Sequence, residues 1–256
     1  MLANILDAKK HEIEKLRQTI DIGEHLENSK DASFLRALVA NPERVALIAE
    51  VKKASPVKGI LNNELDPQEL AYVYQNNGAS AVSVITDQQF FKGSRDYIPL
   101  IKQKLDIPVL RKDFIIDEVQ LYETVMLGAD AVLLIAAALE YSHLLDLIEK
   151  SLKLGVEPLV EVHDRDELNM ALDTPALLLG INNRNLKSFL VDINTSLELA
   201  CLVPNARIKV SESGVSSLSD IELLQSAGFN AVLVGEALVT AGDIPAKVRE
   251  LAQYRS

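Results

Sequence analysis

The chain is predicted to be an α/β protein of the (β/α)8 TIM-barrel class with additional N-terminal helices, on three observations. Short apolar runs recur eight times, and each is followed by a longer stretch with helical spacing, the alternation that parallel strands with crossover helices require. The runs are continuous and rich in branched residues, so both faces of each strand are buried, whereas a half-wet antiparallel sheet would alternate apolar with polar. A partial internal repeat, Gly78-Ala-Ser-Ala-Val, Gly128-Ala-Asp-Ala-Val and Gly228-Phe-Asn-Ala-Val, places a helix-ending glycine just before a strand each time.

In chain order, residues 1–44 come before any strand. Ile5, Leu6, Ile13, Leu16 and Ile20 fall on one side of a helix, and Phe34, Leu35, Leu38 and Val39 mark a second, so this segment is expected as a helical extension packed on the barrel. The predicted strands are Val45–Val51, Ala81–Thr86, Pro108–Leu110, Ala131–Ala137, Pro158–Val162, Leu177–Ile181, Arg207–Val210 and Ala231–Val234. They start roughly 20 to 36 residues apart, about one βα unit per step, and leave nothing over for a second sheet. A closed barrel is therefore favoured over a doubly wound open sheet. No Gly/Ser/Pro-rich linker marks a boundary, so residues 1–256 are expected to form a single domain.

The 256 residues are 48% apolar and 25% charged, a composition that supports a sizeable core. A formal net charge of -11 repels nucleic-acid phosphates and anionic lipid, so neither nucleic acid nor membrane is an expected partner, and a bound anion needs a local basic site. The single cysteine, Cys201, excludes an intrachain disulfide and disfavours thiol or Cys-zinc chemistry; amid apolar neighbours it reads as a small buried hydrophobe. Asp7, Lys9 and Lys10 follow a short apolar start and leave no room for a secretory leader, so a cytoplasmic protein is expected. The longest apolar run, Ala131 to Leu139, has nine residues, against roughly 18 to 20 for a membrane span.

Barrels of this type carry their chemistry at the C-terminal ends of the strands. There, strand 1 leads into Glu50, Lys52 and Ser55, strand 3 into Arg111, Lys112 and Asp113, and strand 5 into Glu161 and His163. Strand 6 leads into Asn182, Asn183 and Arg184, strand 7 into Ser211, Glu212 and Ser213, and strand 8 into Gly235 and Glu236. Any one of these is explained as a solvated strand end or a closing salt bridge. The set is not, because gathering charges in one concavity costs desolvation and repulsion that function usually explains. Ser211-Glu-Ser-Gly-Val and Gly235-Glu-Ala-Leu place glycines on loops 7 and 8, where barrels bind phosphate through backbone N–H groups. The Glu236 side chain would repel phosphate and must point elsewhere if its N–H is used.

None of the 11 glycines forms a Gly-x-Gly pair, so the dinucleotide fingerprint and the Walker loop are missing, as is the Gly-x-Ser-x-Gly elbow. The four histidines, His11, His25, His143 and His163, include no pair at metal-ligand spacing, and no metal is expected. His163 reads as an orienting or structural group.

Seven ordered motifs carry a family resemblance. Ile48-Ala-Glu-Val-Lys-Lys-Ala-Ser-Pro56, Phe91-Lys-Gly-Ser94, Leu110-Arg-Lys-Asp-Phe-Ile115, Leu159-Val-Glu-Val-His163, Gly180-Ile-Asn-Asn-Arg184, Val191-Asp-Ile-Asn-Thr195 and Val210-Ser-Glu-Ser-Gly214 together resemble the indole-3-glycerol-phosphate synthase family over essentially all eight units and the N-terminal helices. The departures are Val57, where serine is usual, and Asn185, where aspartate is common.

The resemblance implies a carboxy-lyase of tryptophan biosynthesis that cyclises, decarboxylates and dehydrates 1-(o-carboxyphenylamino)-1-deoxyribulose 5-phosphate to indole-3-glycerol phosphate, with no cofactor. It implies Lys112 as principal general acid, Glu161 as general base, and Lys52 as a second cation that steers the substrate and is available as an acid. Glu50, Asn182, Glu212 and Ser213 complete the implied catalytic set, the first three orienting the lysines and binding sugar hydroxyls. For the phosphate the resemblance points to Lys52, Ser213, Gly214, Gly235 and Glu236, the last two through backbone N–H groups. For the aromatic ring it points to Phe91, Phe114 and Pro56, and for the carboxylate to Ser55, Arg184 and Lys52. Taken without the motifs, Phe91 and Phe114 would be ordinary core residues.

A lysine near other cations or partly desolvated has a lowered pKa, so the two lysines need not be equivalent, and their order is left open. Two rivals remain at this level. One is a Schiff-base aldolase on a sugar phosphate with Lys112 as nucleophile, and the other is a non-catalytic barrel that binds a phosphorylated small molecule. A monomer or weak homodimer is expected.

Overall fold

A computed structural model of the chain describes residues 1–20, 33–56, 58–62, 66–186 and 188–253. Val57 and His25 lie outside the described residues. The predicted barrel is present: β1 (Ala46–Val51), β2 (Ala81–Ile85), β3 (Val109–Lys112), β4 (Ala131–Ile135), β5 (Glu157–Val162), β6 (Leu178–Asn182), β7 (Ile208–Glu212) and β8 (Ala231–Val234) pair in parallel, each with its sequence neighbours, and β8 closes on β1. The left-handed φ values of Gly78, Gly128 and Gly228 (100°, 84° and 78°) give the repeated joint its reason, since a side chain there would strain the turn into the strand.

Strand ends differ from the sequence reading in a way that matters for the site. The runs predicted to stop at Leu110, Ile181 and Val210 continue to Lys112, Asn182 and Glu212. Ladder pairing holds the backbone extended whatever the side chain, so the polar residues are themselves strand residues. The fourth run ends earlier, at Ile135, and Ala136–Ala138 form a 3-10 turn. Loop 1 holds an unpredicted two-stranded hairpin, Ala54–Ser55 against Gly59–Ile60.

Crossover helices begin on side-chain caps. Asp66 caps α3 (Pro67–Asn76), Asp117 caps α5 (Glu118–Leu127) and Asp164 caps α7 (Arg165–Leu172), while Ser217 forms a capping box with Asp220 at α9 (Leu218–Ser226). Each such cap contributes about 1 kcal/mol. Strand alternation then creates two cores. Leu47, Ala49 and Val51 of β1 face outward into the layer between barrel and helices, whereas Ala46 and Ile48 face inward with Ala81, Leu110, Ala131, Leu133, Leu159, Val210, Ala231 and Leu233.

The N-terminal helices serve opposite ends of the barrel. From α2 (Ser33–Val39), Phe34 and Leu38 join the interior cluster beside the small residues Ala46, Ala81, Ala131 and Ala231 that open the strands. Glu157, at the start of β5, accepts from the N–H groups of Phe34 (2.7 Å) and Leu35 (3.0 Å), tying this plug in place. At the other end lies α1 (Leu2–Leu16), with Ile13 and Leu16 packed on Val119 of α5. Ile5, Ile13 and Leu16 are buried as expected, Leu6 is half-buried, and Val39 is exposed because it is the last residue of α2 and faces away from the barrel.

Cys201 corrects the sequence reading. It is exposed at the end of α8 (Asn194–Ala200), its thiol donating to the Glu198 carbonyl at 3.2 Å. The helix turns Leu199 and Ala200 inward, so apolar neighbours in sequence did not make a buried position. No described helix is long and apolar enough to cross a membrane.

Candidate active site

A cavity of about 650 Å³ opens at the C-terminal end of the barrel, floored by Ile85, Leu133, Ile135 and Leu233. That volume accommodates a ligand of several rings or a sugar phosphate with an aryl substituent. Every residue expected at the site borders it: Glu50, Lys52, Ser55, Pro56, Phe91, Lys112, Phe114, Glu161, Asn182, Arg184, Glu212, Ser213, Gly214, Gly235 and Glu236.

Alternation explains how the charges meet. Glu50, Lys112, Glu161, Asn182 and Glu212 share the inward parity of Ile48, Leu110, Leu159, Leu178 and Val210, and each lies two residues or more further along its strand, above the apolar layers. The Lys112 ammonium sits 2.6 Å from Glu212 Oε2 and 3.3 Å from Glu161 Oε2, and Lys52 sits 2.7 Å from Glu50 Oε2. His163 Nδ1 pairs with Glu167 Oε2 at 2.9 Å. Its Nε2 lies 3.2 Å from Glu161 Oε1 but off the hydrogen-bond direction, so charge attraction and not a formed hydrogen bond joins the two.

Two glycines make room for these carboxylates. A Cβ on Gly180 would stand 2.2 Å from Glu212 Oε1, and one on Gly235 would stand 2.1 Å from Glu50 Oε2. Both glycines are therefore spaces that let a neighbouring strand's glutamate lie across them. For Gly235 this adds a packing reason to the phosphate role expected of it.

Closure of the barrel sets the ionisation of the cluster. Burial opposes charge on Lys112, but Glu212, Glu161 and Glu50 around it hold its pKa above the ordinary lysine value. Lys112 is thus not made more acidic by its burial, because its close neighbours are anions and not cations. Burial also opposes charge on Glu161, yet Lys112 and His163 beside it hold its carboxyl well below the usual range. Glu212 goes the other way: burial, reinforced by the nearby Glu161 charge and only partly offset by Lys112, pushes it up to about 7. His163 rises to about 10 because Glu161 and Glu167 outweigh its burial.

Around this cluster the two expected ligand ends separate. Ser213 (φ 64°) and Gly214 (φ 85°) follow β7 with left-handed backbones, a costly conformation for serine that the structure maintains beside the cavity. The Glu236 side chain pairs with Lys58 of loop 1. On the opposite side the Phe91 and Phe114 rings lie 6.1 Å apart, tilted by 37°. Arg184 is held by its bond to the Phe189 carbonyl (3.3 Å) and by a backbone bridge to Val191. Asn185 caps the turn beyond it, accepting from Ser188 N–H at 2.9 Å, a role either asparagine or aspartate fills.

Sequence reasoning missed three contributors. Met1, the N-cap of α1, with Leu2 and Ile5 of that helix, and Leu186, Phe189 and Leu190 of loop 6 add apolar walls. Asp87 also borders the cavity beside Asp113, a strand-3 charge read from the sequence, with Lys9 of α1 buried between the two. A signal for Lys9 did exist, since it stands four residues from both Ile5 and Ile13 on the buried face of its helix.

Comparison with known proteins finds one family by sequence and other barrels by fold. The family profile described as Indole-3-glycerol phosphate synthase matches residues 2–251. A protein of that name from Chlorobium limicola is 46% identical over 241 residues, covering 93% of each chain. One from Chlorobium chlorochromatii is 48% identical over 242 residues (93% of this chain, 94% of the relative), and one from Alkaliphilus metalliredigens is 41% identical over 254 residues (98% and 97%). Among solved structures, 3-hexulose-6-phosphate synthase from Salmonella typhimurium superposes with a TM-score of 0.64 at 16% identity, covering 82% of this chain and 97% of that one, a likeness of fold.

Proposed function

The chain belongs to the indole-3-glycerol phosphate synthase family and is a carboxy-lyase of tryptophan biosynthesis, and from that premise we propose how its rim residues divide the reaction. The substrate is 1-(o-carboxyphenylamino)-1-deoxyribulose 5-phosphate. As its carboxyl-bearing ring carbon attacks the ketone, Lys112 gives a proton to the ketone oxygen. A raised lysine pKa does not oppose this transfer, because the oxygen becomes an alkoxide that is more basic still. The bond to the carboxylate then breaks, its electron pair restores the aromatic ring, and carbon dioxide leaves.

Dehydration needs a second proton for the departing hydroxyl and a base for the adjacent C–H. Lys52 supplies the former and Glu161 takes the latter. Lys112 is the main influence holding Glu161 down, so once Lys112 has given up its proton Glu161 becomes the stronger base that this step requires. Glu212 orients Lys112 and, titrating near 7, restores its proton after Glu161 has taken the C–H proton. Its Oε1 has no hydrogen-bond partner among the described residues and is available to a substrate hydroxyl, with Asn182 and Glu50 beside it.

Ser213, Gly214 and the N–H groups of Gly235 and Glu236 receive the phosphate, with Lys52 adding charge. Phe91, Phe114 and Pro56 hold the aryl ring, with Ser55 and Arg184 at its carboxylate. The observation that carries this reading is the Lys112 ammonium held between two buried carboxylates at 2.6 and 3.3 Å. The same observation disfavours the aldolase, whose nucleophile must be a neutral amine.

The reaction class, amino-acid biosynthesis from phosphorylated intermediates, supports a cytoplasmic location. We propose a monomer or weak homodimer as the working form. The test is to give the purified protein the carboxyphenylamino-deoxyribulose phosphate without added metal. Indole fluorescence is expected to appear, and borohydride is expected to trap no adduct; a silent assay or a trapped lysine would sink the reading.

A further inference from the structure

Phe91 and Phe114 sit on different loops, after β2 and after β3, and they grip a flat ligand only if the loops keep a set spacing. Each is held by an aspartate. Asp87 Oδ1 accepts the N–H groups of Phe90 (2.7 Å) and Phe91 (3.0 Å). Asp113 Oδ1 accepts the Phe114 N–H (2.8 Å), and its Oδ2 accepts the Thr86 hydroxyl (2.5 Å) and lies 3.5 Å from Arg111.

Between the two aspartates stands the Lys9 ammonium, 3.0 Å from Asp87 Oδ2, 2.9 Å from Asp113 Oδ1 and 2.8 Å from Glu12 Oε2. Lys9 is 1% exposed and comes from α1, an element outside the barrel. Packing does not explain it, because an apolar side chain between Ile5 and Ile13 would seat the helix without burying a charge. The aspartates border the cavity, so without a cation they would also turn negative charge towards the ligand's own carboxylate.

We propose that Lys9 is a positioning residue for the aromatic end of the substrate: it ties α1 to both aspartates, fixes the spacing of the Phe91 and Phe114 loops, and neutralises the wall beside the aryl carboxylate. This rests on the reading that these two rings hold the aryl group. It makes the N-terminal helix part of substrate selection, acting on one end of the ligand and not on the phosphate.

Two probes separate that role from a structural one when bound to wild type and to Lys9→Met and followed by calorimetry. One is the substrate with its ketone reduced to an alcohol, which keeps the aryl ring but is not turned over; the other is inorganic phosphate. The aryl probe is expected to bind about tenfold more weakly to the variant, while phosphate stays within about twofold. If Lys9→Met does not fold, Lys9→Met with Asp113→Asn takes its place under the same expectation. That pair leaves the summed charge of the three groups unchanged and keeps an amide oxygen for the Phe114 N–H. Unchanged aryl binding, or equal weakening of both probes, overturns the proposal. Phe91→Ala and Phe114→Ala are measured alongside. If neither weakens the aryl probe, the placement of the ring itself fails; if they do and Lys9→Met does not, only the role of Lys9 fails.

Discussion

At the N-terminal end of the barrel the inward positions are Ala46, Ala81, Ala131 and Ala231, and Phe34 and Leu38 of α2 fill the room they leave. At the C-terminal end the inward positions are Glu50, Lys112, Glu161 and Glu212, and the space above them is a cavity. The same strands, with the same alternation, thus end in a plug on one side and a site on the other. The difference shows where each kind of energy is placed. Apolar burial stabilises the lower end, while the upper end gathers buried like charges that paired cations compensate.

If this division holds, changes at one end leave the other's property intact. The largest effect is expected at the top: Lys112→Ala and Glu161→Gln should each lower turnover by about 10² to 10⁴-fold while the fold persists. Steady-state rates of indole-glycerol-phosphate formation decide it, and near-wild-type rates in either variant would remove that residue from the proton-transfer pair.

Phe34→Ala comes next and should do the reverse, costing about 3 to 5 kcal/mol of stability by urea unfolding while kcat measured well below the transition is unchanged. A fall in kcat as large as the fall in stability would break the comparison, because it would show the plug transmitting to the rim.

The smallest effect probes the overlap of the two energies. His163 is protonated in the folded chain up to about pH 10, against 6.5 for an ordinary histidine. Its interaction with Glu161 and Glu167 therefore adds stability that is complete below pH 6.5 and disappears as pH rises through 10. The stability gap between wild type and His163→Asn should narrow steadily from pH 6 to pH 10.5, followed by unfolding at each pH. A gap independent of pH would mean that the imidazole is neutral in the folded protein and only packs.

Much of the rim was legible because strand parity and strand-end position are local properties. Glu50, Lys112, Glu161 and Glu212 announced themselves as charges closing apolar runs, and the structure places them around one cavity. Lys9 was not legible as a site residue, since its partners Asp87 and Asp113 are brought to it only when α1 crosses the mouth of the barrel. Cys201 was misread for the complementary reason, its neighbours in sequence being apolar while its face of the helix is not.

By itself, the sequence determined the eight-unit alternation, the glycine joints before the strands and the family to which the motifs belong, because each is written in residues close along the chain. Only the tertiary structure decided which carboxylate holds Lys112, that Glu161 is driven down while Glu212 is driven up, and that Gly180 and Gly235 are spaces for glutamates from neighbouring strands. Those outcomes depend on distances across a closed barrel and on the burial that closure brings, and neither distance nor dielectric is a property of a residue's position in the chain.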